Sequence, residues 1–126
     1  MVVDHATVRR VAALLVFAAL GARVITATGS APQATPARIV SVVPSATEML
    51  YAVGAGPQVV AVSSFDRYPP DVTSLPRVGG LLDPDVERIL SLKPDLVIVY
   101  ATQIDLHAQL ARAGVAIFDY KHGGLA

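Results

Sequence analysis

The stretch 83–100, DPDVERILSLKPDLVIVY, constrains the fold more than any other part of the chain. It predicts a capped helix, a proline stop and a buried strand, with almost no residues to spare. Asp83 suits an N-cap, and Pro84 suits the first helical position, where its missing N–H would have gone unpaired anyway. Asp85 and Glu87 then bring negative charge into the first turn, where the helix dipole favours it. Val86, Ile89 and Leu90 recur at i, i+3 and i+4, one apolar stripe to lay on a sheet. Pro94 disfavours a helical Lys93 and so ends the helix. Leu96 to Tyr100 is an unbroken apolar run rich in β-branched residues, as a parallel strand covered on both faces requires. A helix feeding such a strand is half of a βαβ unit. A strand is therefore expected before it and a crossover after it.

The flanking segments supply both. Residues 38–43 read as a first strand that Pro44 stops, and Ser45-Ala46-Thr47-Glu48 has capping-box spacing with Ser45 as N-cap. That helix runs through Met49, Leu50 and Val53 and ends at Gly54 or Gly56 in a left-handed cap. A second strand follows at 59–63. Residues 64–82 form a long Pro- and Gly-rich connection, and long structureless loops in small domains are often functional. Thr102, with Asp105 three residues on, resembles a further N-cap. Leu106, Leu110 and Ala113 make its stripe, Gly114 closes it, and 115–120 is a fourth strand. Alternating strands and helices predict an α/β fold, a three-layer αβα, Rossmann-like lobe. Its parallel sheet has about four strands in the order 2-1-3-4, joined by right-handed crossovers. That order puts a switch point between the first and third strands, where ligands tend to bind.

Residues 1–31 predict a signal peptide: Arg9-Arg10, a short apolar core at 11–20, and Gly29-Ser30-Ala31 as a small-residue cleavage site. A membrane anchor would need about 20 apolar residues, and Gly21 and Arg23 interrupt this run early. Residues 32–37 read as a linker, leaving 38–126 as one lobe. The 53% hydrophobic content is high, partly because of the leader. Past Ala31, nine acidic residues outnumber seven basic ones, which argues against a nucleic-acid partner. The absence of cysteine excludes a disulfide frame, a thiolate metal site and a lipidated N-terminal cysteine.

The sequence holds no G-x-G-x-x-G, P-loop or H-E-x-x-H motif. Ser45 follows a strand but lacks the G-x-S-x-G elbow of a nucleophile. His107 and His122 have no second ligand at metal spacing, so neither a metal site nor a resident cofactor is expected. His107 reads as an exposed helix residue. His122 lies just past the fourth strand, either a polar loop residue or a group able to approach a metal-centred ligand. Asp66 and Asp119 would pair only if folding joined their loops. Nothing assembles a nucleophile, base and oxyanion site, so the chain does not read as an enzyme. The aromatics say more: Phe65, Tyr68, Tyr100 and Tyr120 all fall just beyond strand ends, surfaces suited to a flat, largely apolar ligand.

Three phrases in order, RIVSVVPSATEMLYAVGAG, VSSFDRYPP and LSLKPDLVIVY, resemble the first lobe of the helical-backbone (class III) periplasmic substrate-binding proteins. The likeness is to the cobalamin-binding proteins of ABC importers and covers roughly residues 37–126. It implies a periplasmic protein that captures cobalamin or a related corrinoid as cargo and delivers it to ABC permease subunits. It also implies aromatic ligand contacts at the positions of Phe65 and Tyr100; Tyr68 and His122 are further candidates from their places beyond strand ends. A third aromatic of that family is here Leu81. This departure makes the pocket less aromatic and keeps a ferric siderophore or haem as the alternative ligand. Glu87 matches an acidic residue that pairs with permease arginines in the family, alongside its role at the helix start. The family's spanning helix and second lobe have no counterpart in these 126 residues. A half-pocket of reduced affinity, or a truncated secreted interaction domain without a ligand, is therefore expected.

Overall fold

Leu96–Tyr100 forms the strand its apolar run predicts, β3, with Val97, Ile98 and Val99 buried. β1 (Ile39–Ser41) lies between β3 and β2 (Val59–Val62), and β4 (Ile117–Tyr120) pairs along the other side of β3. Every pairing is parallel and the order is 2-1-3-4, as expected. The computed structural model describes residues 34–123. The expected signal peptide and the start of the linker lie outside the described residues.

Among the described residues, three α-helices complete the layers: α1 (Pro44–Ala52), α2 (Val86–Ser91) and α3 (Ile104–Arg112). Successive side chains of a strand point to opposite faces, so β3 contributes to two cores. Val97 and Val99 pack with Val40, Val42, Ile89, Leu106 and Leu110 on the α2 and α3 side. Ile98 packs with Ile39, Val43 and Ala46 on the α1 side. Each fully buried side chain of this size contributes about 1.5–3 kcal/mol, so the sheet with its two helix layers carries most of the stability.

Several helix starts differ from expectation, each for a local reason. α1 starts at Pro44 with Val43 as N-cap, so Ser45 is inside the first turn and caps nothing. Proline's preset φ makes it a helix initiator here rather than a strand stop. The turn into α1 is closed instead by buried hydroxyls: Thr47 donates to Ser41 Oγ at 2.9 Å, and Ser41 donates to the Val43 carbonyl at 3.1 Å. α2 begins two residues later than predicted, capped by Asp85, whose carboxylate accepts from the Arg88 N–H at 3.0 Å. Asp83 and Pro84 close a loop instead. Gly80 N–H donates to the Asp83 carbonyl, and Pro84 is bridged to Gly79. α3 is preceded by Gln103 rather than capped by Thr102. Gly54 and Gly114 do end α1 and α3 at positive φ, +85° and +73°. The connection 64–82 is more ordered than expected. It holds a 3-10 turn, Pro70–Ser74, and a return stretch bonded beside β2 through Val62 and Val78.

The approach to β1 is clamped by Asp95, whose carboxylate accepts from the Ala37 N–H at 2.8 Å and the Arg38 N–H at 3.0 Å. These backbone donors hold its pKa below the usual carboxylate value, against a smaller opposing effect of desolvation. A depressed folded-state pKa means that the contribution is fully present above the unfolded value, about 4. It is lost as pH falls through the folded value. Acid unfolding should therefore include a component below about pH 4 that disappears in Asp95→Asn, measured by circular dichroism against pH.

Candidate functional site

β1 and β3 are neighbours whose connections leave in opposite directions, and a cleft of about 480 Å³ opens at their carboxyl ends. Its lining comes from two connections and a strand end: Val42 and Pro44 after β1, Ser63 to Phe65 and Gly79 to Asp83 from the two ends of the connection between β2 and α2, and Tyr100 at the end of β3. Most of that lining is apolar, which suits a flat ligand better than a phosphate or sugar.

Of the candidate ligand residues, the fold brings Phe65, Leu81 and Tyr100 to this cleft. Phe65 is 69% exposed although it is large and apolar, and its ring lies over Gly80. A Cβ at Gly80 would come within 2.6 Å of that ring. His122 is exposed and stacks on Tyr100, with ring centroids 6.1 Å apart and planes 25° from parallel. Tyr120 meets both edge-on, at 6.1 Å from Tyr100 and 5.1 Å from His122. Burial, then Tyr120 and Asp66, raise the Tyr100 pKa, so its phenol stays neutral. Tyr68 is 63% exposed, next to a cis Tyr68–Pro69 bond, and is not among the cleft-lining residues. Glu87 is exposed in the first turn of α2, away from the cleft lining.

Asp66 and Asp119 have separate partners. Asp66 Oδ2 accepts from the Ser63 N–H at 2.9 Å and its hydroxyl at 2.6 Å, while Asp119 lies 3.5 Å from His107. His107 is an exposed helix residue, as expected, and its ring faces Asp119 of β4 across that distance. Ser63 Oγ in turn accepts from the Phe65 N–H at 3.1 Å, so the Asp66–Ser63 pair sets the backbone that carries Phe65. Arg77 holds the same loop from below. It donates to the carbonyls of Ser63, Asp66 and Val72 at 2.9, 2.8 and 3.2 Å.

Sequence reasoning missed Gln103 altogether. Its Oε1 accepts from the Tyr100 N–H at 3.0 Å, and its Nε2 donates to the Gly80 and Leu81 carbonyls at 3.2 and 3.1 Å. The available signal was its place three residues past a strand end and just ahead of a helix, a position that was assigned to Thr102.

The family profile described as periplasmic binding protein matches residues 39–123, which contain the whole sheet and the cleft. The chain belongs to the periplasmic binding protein family. As a member of it, the chain is 45% identical over 71 residues to the vitamin B12-binding protein of Pectobacterium carotovorum, a match covering 56% of this chain and 26% of that one. It is 41% identical over 86 residues to an uncharacterized ABC transporter substrate-binding lipoprotein of Bacillus subtilis, covering 65% and 27%. Among solved structures, the periplasmic vitamin B12 binding protein of Vibrio cholerae superposes with a TM-score of 0.64 at 40% identity, over 68% of this chain and 34% of that chain. This periplasmic binding protein lobe thus spans roughly a quarter to a third of the relatives it matches.

Proposed function

We propose that the chain is the corrinoid-capturing lobe of an ABC importer's substrate-binding protein, acting outside the inner membrane. The observation that carries this reading is the apolar switch-point cleft with Phe65 and Tyr100 in its lining. Identities of 40–45% to vitamin B12-binding proteins support it. A corrin ring is broad and flat, and aromatic faces with polar tips fix such a ligand while excluding water. His122, stacked on Tyr100, adds an imidazole at the edge of the same aromatic cluster. The role is binding, without catalysis, and residues 1–31 act as the export signal.

The test is a spectrophotometric titration of the full-length protein with hydroxocobalamin, haem and a ferric siderophore in parallel. Cobalamin binding that weakens at least about tenfold in the Phe65→Ala, Tyr100→Ala double variant is expected, as for loss of two aromatic anchors. Tight haem or siderophore binding without cobalamin binding moves the reading to iron uptake, as Leu81 in place of an aromatic allows. No binding of any of the three leaves a secreted interaction domain.

Delivery requires docking on a permease, and Glu87 is the candidate contact, held on the first turn of α2 and open to solvent. Glu87→Arg should leave ligand affinity unchanged and impair uptake through the intact transporter, because reversal adds repulsion to lost attraction. Uptake at the wild-type rate would reduce Glu87 to a helix-start residue.

A further inference from the structure

The segment 80–83 is a partition with open space on both sides. One side is the ligand cleft; the other is a second cleft of about 510 Å³, lined by Pro84, Thr102, Ile104 and Leu106 among others. Leu81 and Leu82 line both. At its base the partition is closed by the Gly79–Pro84 bridge and the 3.3 Å bond from Gly80 N–H to the Asp83 carbonyl. Its tip has little packing: Leu82 is 94% exposed. The side-chain hydrogen bonds that reach the partition come from Gln103, which is buried and also bonds the Tyr100 N–H.

We propose that Gln103 is a positioning residue: its amide latches the 80–83 partition to the end of β3 and so sets the width of the ligand cleft. The inference rests on the cleft being the ligand site. A primary amide accepts at one end and donates twice at the other. It therefore satisfies the β3 terminus and two loop carbonyls at once. A glutamate keeps the acceptor for Tyr100 but sets a charged oxygen against those two carbonyls, and protonation gives back one donor. A methionine fills the same volume and makes none of the bonds. Without the latch the partition is free to lean toward either cleft, and the ligand must order it on binding, which lowers affinity.

The experiment compares wild type, Gln103→Glu and Gln103→Met in the full-length protein. It reads backbone NMR order parameters and amide exchange across 80–83 and at Tyr100, melting temperature, and cobalamin affinity against pH. Both variants should show loosening confined to the latch, at 80–83 in each and at the Tyr100 amide in the methionine variant alone, with exchange at Val97 and Val99 unchanged. Affinity at neutral pH should fall by about tenfold. On acidification the glutamate variant should recover order and affinity while the methionine variant does not. An unchanged partition in both variants overturns the latch, as does loosening of β3 to the same extent, which would make Gln103 a fold residue. If wild type binds no corrinoid, the ligand reading fails, while the order of 80–83 still decides whether the latch exists.

Discussion

Gly79→Ala is expected to lower the unfolding free energy by about 3–4 kcal/mol and to unseat the wall of the switch-point cleft. Two effects add at this residue. Its φ of +83° lies in the left-handed region, where a Cβ costs about 1–2 kcal/mol. That Cβ would also stand 2.0 Å from the Asp83 carbonyl oxygen and 3.0 Å from Pro84 Cα, both backbone atoms with no rotamer to escape into. Relief requires breaking the Gly79–Pro84 bridge or the 2.8 Å bond from Ser64 N–H to the Gly79 carbonyl. Either rupture moves 80–83. Gly54 provides the control: its φ is +85°, but a Cβ there meets nothing within 4 Å. Gly54→Ala should therefore cost the conformational strain alone, about 1–2 kcal/mol. Urea unfolding of both variants checks the difference; equal losses would remove the steric argument.

The second large effect is expected at Arg77. Its guanidinium donates to three carbonyls between residues 63 and 72, so one side chain ties the end of β2 to the 3-10 turn. Arg77→Met keeps the apolar stem and loses all three charge-assisted bonds; the Ser63 and Val72 carbonyls keep the Asp66 and Leu75 N–H donors, and the Asp66 carbonyl loses its side-chain donor. A loss of about 2–4 kcal/mol follows. Lysine should restore only part of it, because one ammonium cannot reproduce the planar fork. Amide exchange should quicken across 64–76 first, and, on the proposed corrinoid role, cobalamin affinity should fall with stability because Ser63 and Asp66 flank Phe65. Global unfolding with no local stage would show that the connection has no separate stability.

Much of the fold was written locally. The 96–100 run, the β-branched runs ahead of it and the glycines at 54 and 114 each specify their own conformation through neighbours a few residues away. Parallel pairing with right-handed crossovers then leaves few ways to order four strands. Cap positions were less determinate because several residues compete. Asp83 and Asp85 are both good N-caps, and the loop closed by Gly79 and Pro84 decided for Asp85. The same holds for Ser45, displaced by Pro44 at the first helical position.

The site divides along the same line. That Phe65 falls past the end of β2 and Tyr100 is the last residue of β3 is a property of the chain, since a strand's length puts its last residue at the sheet edge. That Leu81 joins them while Tyr68 does not line the cleft depends on how the 64–82 connection folds back beside β2. Gln103, Arg77 and the His107–Asp119 pair reach across 23, 14 and 12 residues of sequence at their longest. Residue type tells what each can donate or accept. Only the packed sheet, by carrying remote carbonyls and carboxylates within 3.5 Å of them, decides which partners they find.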